Sequence, residues 1–279
     1  MSRNGSQARA GTVGRSAAVA LGSAAMAHAA LRLLTATVRS SRWQRTNHAG
    51  DRVTLLEGPA YVAGAAVGAG AAGPAGAAAV IGAGAFGALD DLVGDSGSKG
   101  LKGHLGAAAR GELTTGLVKV LGIGATGVVA AAIADRGRAD VGRVDTLVGG
   151  ALVAAAANMA NLLDLRPGRA LKATLLAAAP LLLAPTRPGA VDAAAAAGAA
   201  LGVLRPDLAG TAMLGDTGAN AAGALVGTAL LRRSGRGGRY AMLAGLAVLT
   251  VISERVSFTR VIEATPGLRE LDAWGRPPR

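Results

Sequence analysis

From residue 17 to residue 253 one pattern recurs: an apolar stretch of about 14 to 22 residues, several of them short, then a polar loop. The stretches fall at 17–37, 59–72, 75–90, 113–134, 146–163, 171–185, 189–204, 218–231 and 240–253. A helix crossing the hydrocarbon core needs about 20 residues, and one of about 17 suffices at the short end. In lipid, every backbone polar group must be satisfied within the segment, so apolar runs of this kind fold as helices. The pattern predicts an all-α, polytopic transmembrane helix bundle of about nine spans. Gly73-Pro74 separates the second stretch from the third, because proline cannot continue a helix and glycine permits a turn.

Composition decides how such helices would pack. The chain is 51% hydrophobic but only 2% aromatic and 16% charged, against about 25% charged in soluble domains. Alanine and 43 glycines carry the apolar fraction. Small side chains let backbones approach closely, which is how helices associate in lipid. The formal charge of +12 is spread through the loops between apolar runs, and no nucleic-acid module is present. With no cysteine, disulfide and thiol chemistry are excluded.

One integral membrane domain is expected over 1–279, with a polar N-terminal tail at 1–16 and a cytoplasmic C-terminal tail at 254–279. Arg3, Arg9 and Arg15 ahead of an apolar run resemble a leader, but a retained first span keeps the odd span count. Nine spans with the N-terminus outside put loops 38–58, 90–112, 164–170 and 205–217 and the tail together at the cytoplasmic face of the plasma membrane. Lys and Arg lean to that side. Loop 232–239 is strongly basic yet falls outside, against the positive-inside rule. Trp43, Tyr61, Tyr240 and Trp274 are expected near the two interfaces.

The loops assigned to the inner side carry the residues capable of chemistry. Asp90 and Asp91 close one apolar stretch, where adjacent carboxylates repel and a divalent cation or a cationic partner would offset the cost. A solvated helix end would account for them equally well. Asp91, Asp95 and Lys99 have the spacing of one helical face. Lys99, Lys102 and His104 sit in the glycine-rich run SGSKGLKGH, whose backbone N–H groups and lysines suit a diphosphate, although any one lysine fits an ordinary basic loop. Asn158, Asn161 and Asp164, three residues apart, are expected to look into one groove, or else to bond between helices. Gly215, Asp216, Thr217 and Gly218 place a carboxylate between glycines at a helix start, where it could meet a metal or simply cap the helix from Gly218. Two GxGxxG strings, Gly82–Gly87 and Gly122–Gly127, lie within apolar stretches and follow no strand, so they read as close helix packing and not as nucleotide loops.

In order and spacing, RTNHAG at 45–50, DDLVGD at 90–95, NMANLLD at 158–164 and MLGDTG at 213–218 resemble the polyprenyl-phosphate N-acetylhexosamine-1-phosphate transferases. That family includes phospho-N-acetylmuramoyl-pentapeptide transferase and the UDP-GlcNAc:undecaprenyl-phosphate GlcNAc-1-phosphate transferases. The resemblance covers roughly residues 40–230 and implies transfer of a sugar-1-phosphate from a UDP-sugar to a polyprenyl phosphate, with release of UMP and with Mg²⁺, or Mn²⁺ in its place, as cofactor. It further implies that Asp216 and Asp91 hold the metal. Asp90 and Asp91 would handle metal or lipid phosphate, or serve as a base, with no base assigned between them. Asn158, Asn161 and Asp164 would face the nucleotide; Lys99, Lys102 and His104 would lie on the substrate, with Gly215 and Gly218 beside the metal-binding aspartate. The implied partners are the two substrates and membrane lipid, with a homodimer allowed.

The chain also departs from that pattern. It has only three histidines and none in its tail, which argues against a MurNAc-pentapeptide substrate. Pro167 stands where the family has a second aspartate after the asparagine motif. The chain is about one span short. These departures leave an alternative: a non-catalytic relative that binds lipid phosphate or scaffolds envelope assembly. An ion or solute carrier fits less well, because the carboxylates gather toward one face and not at the midplane.

Overall fold

The computed structural model describes residues 3–47, 50–93 and 114–277. Among them, eleven α-helices and one short antiparallel ribbon account for the regular structure. The helices are α1 (Arg3–Thr37), α2 (Glu57–Ala72), α3 (Pro74–Val93), α4 (Thr115–Ala134), α5 (Arg143–Leu163), α6 (Arg169–Leu182), α7 (Ala190–Leu208), α8 (Gly215–Arg233), α9 (Arg236–Ser253), α10 (Phe258–Ala264) and α11 (Leu268–Ala273). Strands β1 (Gln44–Thr46) and β2 (Arg52–Thr54) pair with Arg45 opposite Val53.

All nine apolar stretches are helices, and the fold is all-α as expected. Four of them, α1 from Gly11, α3, α4 and α5, are each long and apolar enough to cross a membrane. A fifth span follows if α9 and α10, bent 93° to one another, are taken together. The other helices are shorter or less apolar for a reason visible in the packing. Helix α8 lies at the centre, touching α2, α3, α4, α5, α6 and α7, so its surroundings are protein. A buried helix needs small side chains more than lipid-like ones. A Cβ on Gly223 would lie 2.2 Å from the Ala156 carbonyl, and one on Gly198 would lie 2.1 Å from that of Ala20. At these crossings the helices touch backbone to backbone.

Gly73 adopts φ 134°, and α3 starts at Pro74, so α2 and α3 fold back as a hairpin with Val62 beside Gly84. Five of the six GxGxxG glycines are packing positions: besides Gly84, Gly82 faces Thr126, Gly87 the backbone of Asp216, Gly122 the Phe86 ring and Gly127 the Gly150 carbonyl, while Gly124 faces open space. One expectation is corrected, and both tails prove to be structured. Residues 3–16 of the N-terminal tail are helical, since α1 already runs from Arg3. Tyr61 is not at an interface: it is buried and donates its hydroxyl to the Ala196 carbonyl at 3.3 Å. Residues 254–277 of the tail carry α10 and α11 and are fastened to the bundle. Arg169 holds Asp272 at 2.8 Å, and Lys172 donates to the carbonyls of Leu271, Asp272 and Trp274.

The basic loop 232–239 is extensively paired. Arg232 pairs with Asp192 at 2.6 Å, Arg236 with Asp145 at 3.0 Å, and the fully buried Arg239 with Asp135 at 2.8 Å. The arginines answer carboxylates on α4, α5 and α7 at that end of the bundle. Much of the charge of this loop is therefore paired within the protein.

Candidate functional site

At the opposite end of the bundle, loops distant in sequence meet around a cleft of about 530 Å³. Its wall holds five aspartates: Asp90, Asp91, Asp164, Asp207 and Asp216. Arg45, Asn161 and Arg166 line it as well. The contributing segments are the ribbon, the end of α3, the α5–α6 turn and the α7–α8 connection. The ribbon is tied to that connection by Thr54, whose N–H donates to the Thr211 carbonyl at 3.2 Å and whose carbonyl accepts from Met213 at 3.0 Å.

The aspartate pair is placed by a glycine. A Cβ on Gly87 would lie 2.2 Å from the Asp216 carbonyl oxygen, so α3 runs directly against the start of α8. One turn later, Asp91 sits beneath the N-terminus of α8. Its carboxylate accepts from the N–H groups of Asp216 at 3.1 Å and Thr217 at 2.8 Å, and from the Thr217 hydroxyl at 2.6 Å. A helix N-terminus carries unsatisfied N–H groups and partial positive charge, which a carboxylate satisfies. The cap therefore comes from α3, not from Asp216 or Thr217, and the helix begins at Gly215 rather than Gly218. Gly215 has φ 59°, a left-handed conformation, and a Cβ there would press on the Asp91 oxygens at 3.0 Å. Gly218 does not face the cleft; it packs against the Gly58 backbone.

Asp90 points elsewhere. The Lys119 ammonium, one turn into α4, lies 2.6 Å from Asp90 Oδ2 and 2.6 Å from Asp216 Oδ2. A single cation thus joins α3, α4 and α8. Arg45 donates to the Asp91 backbone carbonyl, which locks the ribbon onto the same point.

The second group of carboxyls has no such cation. Asp164 follows the last turn of α5; burial, then Asp207 and Asp216, hold its carboxyl well above the usual range. Asp207, one turn beyond the apolar stretch of α7, accepts from the Gly168 N–H at 2.9 Å, and burial pushes it up to about 6. Behind it Glu57, at the start of α2, is 0% exposed. Neither Glu57 oxygen has a hydrogen-bond partner, nor does Asp207 Oδ2.

Asn161 and Asp164 line the cleft, but Asn158 is corrected: it is exposed and turns to α9, donating to Thr250 Oγ1 at 3.4 Å. Six residues of α-helix rotate by about 120° from the starting direction, too far for one groove. Asn158 thus has the interhelical role. Arg166 lines the cleft and pairs with Glu263, whereas Arg169 and Lys172 are taken up by the tail. Asp95, Lys99, Lys102 and His104 lie outside the described residues. Sequence reasoning missed Lys119, Asp207 and Glu57. Lys119 had a signal, since a lone lysine inside an apolar stretch marks a functional position.

Among the described residues, no three acidic or histidine side chains are gathered closely enough to hold an ion by themselves. Mg²⁺ does not require that: it keeps several waters and binds through one or two carboxylates plus phosphate oxygens. A cleft with five aspartates, and with buried carboxylate oxygens lacking any donor, fits such an ion. No family model, no curated protein and no solved structure matches the chain.

Proposed function

We propose that this chain transfers a sugar-1-phosphate, an N-acetylhexosamine phosphate in the reading its motifs favour, from a UDP-sugar to a polyprenyl phosphate at the cytoplasmic face of the plasma membrane. The observation that carries this reading is the convergence of Arg45, Asp90, Asp91, Asn161, Asp164 and Asp216 on one cleft. These residues come from all four motifs, which are separated in sequence by up to about 170 residues. A nine-span arrangement sets the cleft at the level where a lipid phosphate and a soluble nucleotide can meet.

In the reaction an oxygen of the lipid phosphate attacks the β-phosphorus of the UDP-sugar. The bond from that phosphorus to the bridging oxygen breaks, and the oxygen leaves with UMP. A phosphate monoester is mostly doubly ionised at neutral pH, so no base is needed to expose the attacking oxygen. The work is positioning and charge stabilisation, as in other phosphoryl transfers. Lys119, Arg45 and Arg166 supply positive charge toward the phosphates. Asp90 and Asp216 fix the Lys119 ammonium. Asp91 fixes α8, and with it the direction of Asp216. When bound, Mg²⁺ would neutralise the diphosphate; Asp216 would hold it, with Asp164 close by. Asp91, the other metal candidate, already has both oxygens occupied by the helix N-terminus, which suits it better to aiming α8. Asn161 remains on the nucleotide side.

The test is UMP release by the purified chain with Mg²⁺, polyprenyl phosphate and a panel of UDP-sugars. Turnover is expected with at least one UDP-N-acetylhexosamine and is expected to vanish in Asp216→Asn and Asp91→Asn. Lipid-phosphate binding without turnover on any donor, unaffected by these substitutions, would establish the alternative of a non-catalytic relative. Pro167, in place of the family's second aspartate, is the feature that favours that alternative.

A further inference from the structure

We infer that Glu57 and Asp207 form a second divalent-cation site in the wall of the cleft, separate from the Asp90–Lys119–Asp216 group. Two carboxylates with free buried oxygens stand together here. Glu57 is 0% exposed and Asp207 1% exposed. Both oxygens of Glu57 and Oδ2 of Asp207 lack any donor from another group, and the two carboxyls lie within hydrogen-bond reach of each other. Asp207 Oδ1 is fixed by the Gly168 N–H at 2.9 Å, which turns the other oxygen away from the backbone. An ionised carboxylate without partner or water is among the most unfavourable groups to bury. Two of them raise the cost by mutual repulsion.

The nearby cations relieve this only in part: Arg276 and Lys172 act on Asp207 from a distance, and Arg276 is itself held by Asp272 at 2.8 Å and by the Pro167 carbonyl. Lys119 is engaged by Asp90 and Asp216. Lys172 donates to three carbonyls of the tail, and Arg169 is held by Asp272. Arg166 pairs with Glu263. The pair is therefore left with an anionic surplus that only an ion or a proton from outside can balance. A small, hard cation suits an all-oxygen site, and Mg²⁺ or Mn²⁺ accepts two carboxylates with water completing the shell. Asp207 lines the cleft and Glu57 lies behind it, so an ion entering from the cleft meets Asp207 first.

The position gives the site a use. Asp207 binds the N–H of the residue that follows Pro167. It therefore brings a carboxylate from α7 to the stretch of loop where Pro167 leaves none. An ion there would present positive charge beside Asp164 and Asn161. That role toward a diphosphate rests on the transferase reading; binding of the ion does not.

The experiment is equilibrium Mn²⁺ binding to the full-length chain in detergent, followed by electron paramagnetic resonance, beside thermal unfolding with and without Mn²⁺. The wild type is expected to take up one ion more than Glu57→Gln or Asp207→Asn. In chelator both variants should melt at or above the wild type, since each relieves the repulsion within a buried carboxyl pair, and both should lose most of the Mn²⁺-induced rise. Asp216→Asn should keep that rise. Unchanged Mn²⁺ uptake in both Glu57→Gln and Asp207→Asn overturns the inference, and loss of uptake in Asp216→Asn alone does so while leaving the transferase reading standing. If one variant does not fold, the other decides.

Discussion

Replacing Lys119 with methionine keeps most of the side chain's volume and removes only the charge. The ammonium makes two contacts of 2.6 Å to Asp90 and Asp216, and all three side chains are about a fifth exposed. A hydrogen bond to a charged group contributes about 1.5–3 kcal/mol, and breaking a fully buried pair costs about 3–5 kcal/mol. Residual exposure lowers that, while the repulsion left between the two carboxylates raises it. A loss of about 3 kcal/mol is expected, or roughly two decades in the folding equilibrium. The measurement is reversible unfolding in mixed micelles followed by helical circular dichroism, in chelator so that no metal replaces the ammonium. Asp90→Asn added to Lys119→Met removes one of the stranded charges and should recover a large part of the loss. A cost below about 1 kcal/mol would place the trio with ordinary surface pairs. Absence of recovery in the double variant would show that Lys119 does not act through Asp90, and the account of how α3, α4 and α8 are joined would fail.

Two further outcomes follow from the packing. Gly87→Val puts a side chain where even a Cβ would lie 2.2 Å from the Asp216 carbonyl; overpacking of this kind costs about 1–3 kcal/mol. It should abolish UMP release while the chain remains folded by circular dichroism, because Asp91 and Asp216 lose their register. Arg239→Met leaves Asp135 without its guanidinium at the far end of the bundle, which should cost about 3–5 kcal/mol in the same unfolding assay. In detergent conditions where the variant stays folded, UMP release should be unchanged, since the residue is remote from the cleft.

The sequence disclosed the helices far better than it disclosed what each helix faces. All nine stretches were legible because apolar runs bounded by Gly, Pro and charge leave the backbone no other solution in lipid. Gly73-Pro74 located the α2–α3 turn for the same local reason. Tyr61 shows where local reasoning stops: its nearness to the end of a stretch suggested an interface, yet the hydroxyl finds the Ala196 carbonyl inside the bundle. Asn158 and Asn161 look equivalent in the motif, and helical rotation sends one to α9 and the other to the cleft. Asp207 was passed over because nothing in DLAG marks it; its meaning arises only when α7 brings it to Gly168. The ion pairs of loop 232–239 with Asp135, Asp145 and Asp192 lay beyond any positional rule, because they join segments up to 104 residues apart.

The Ala/Gly composition and the acidic cleft are linked causes. A carboxylate cluster in a mostly apolar bundle has to be held by neighbours, because water and large polar side chains are scarce there. Backbone N–H groups become the main resource, and they are free only where helices begin or turn. To use them, an acidic side chain on one helix must reach the end of another, which demands an approach that no Cβ permits. Gly87 and Gly215 provide that approach for Asp91. At Asp207 the donor is the Gly168 N–H, with Gly168 at φ 74° in the turn itself. Asp91 and Asp207 are thus each tied to a glycine contact, whereas Asp90 and Asp216 share the Lys119 ammonium. Where the backbone supplies no donor, as at Glu57, the charge remains unbalanced. The small residues that close the bundle are therefore also what sets the chemistry of its end.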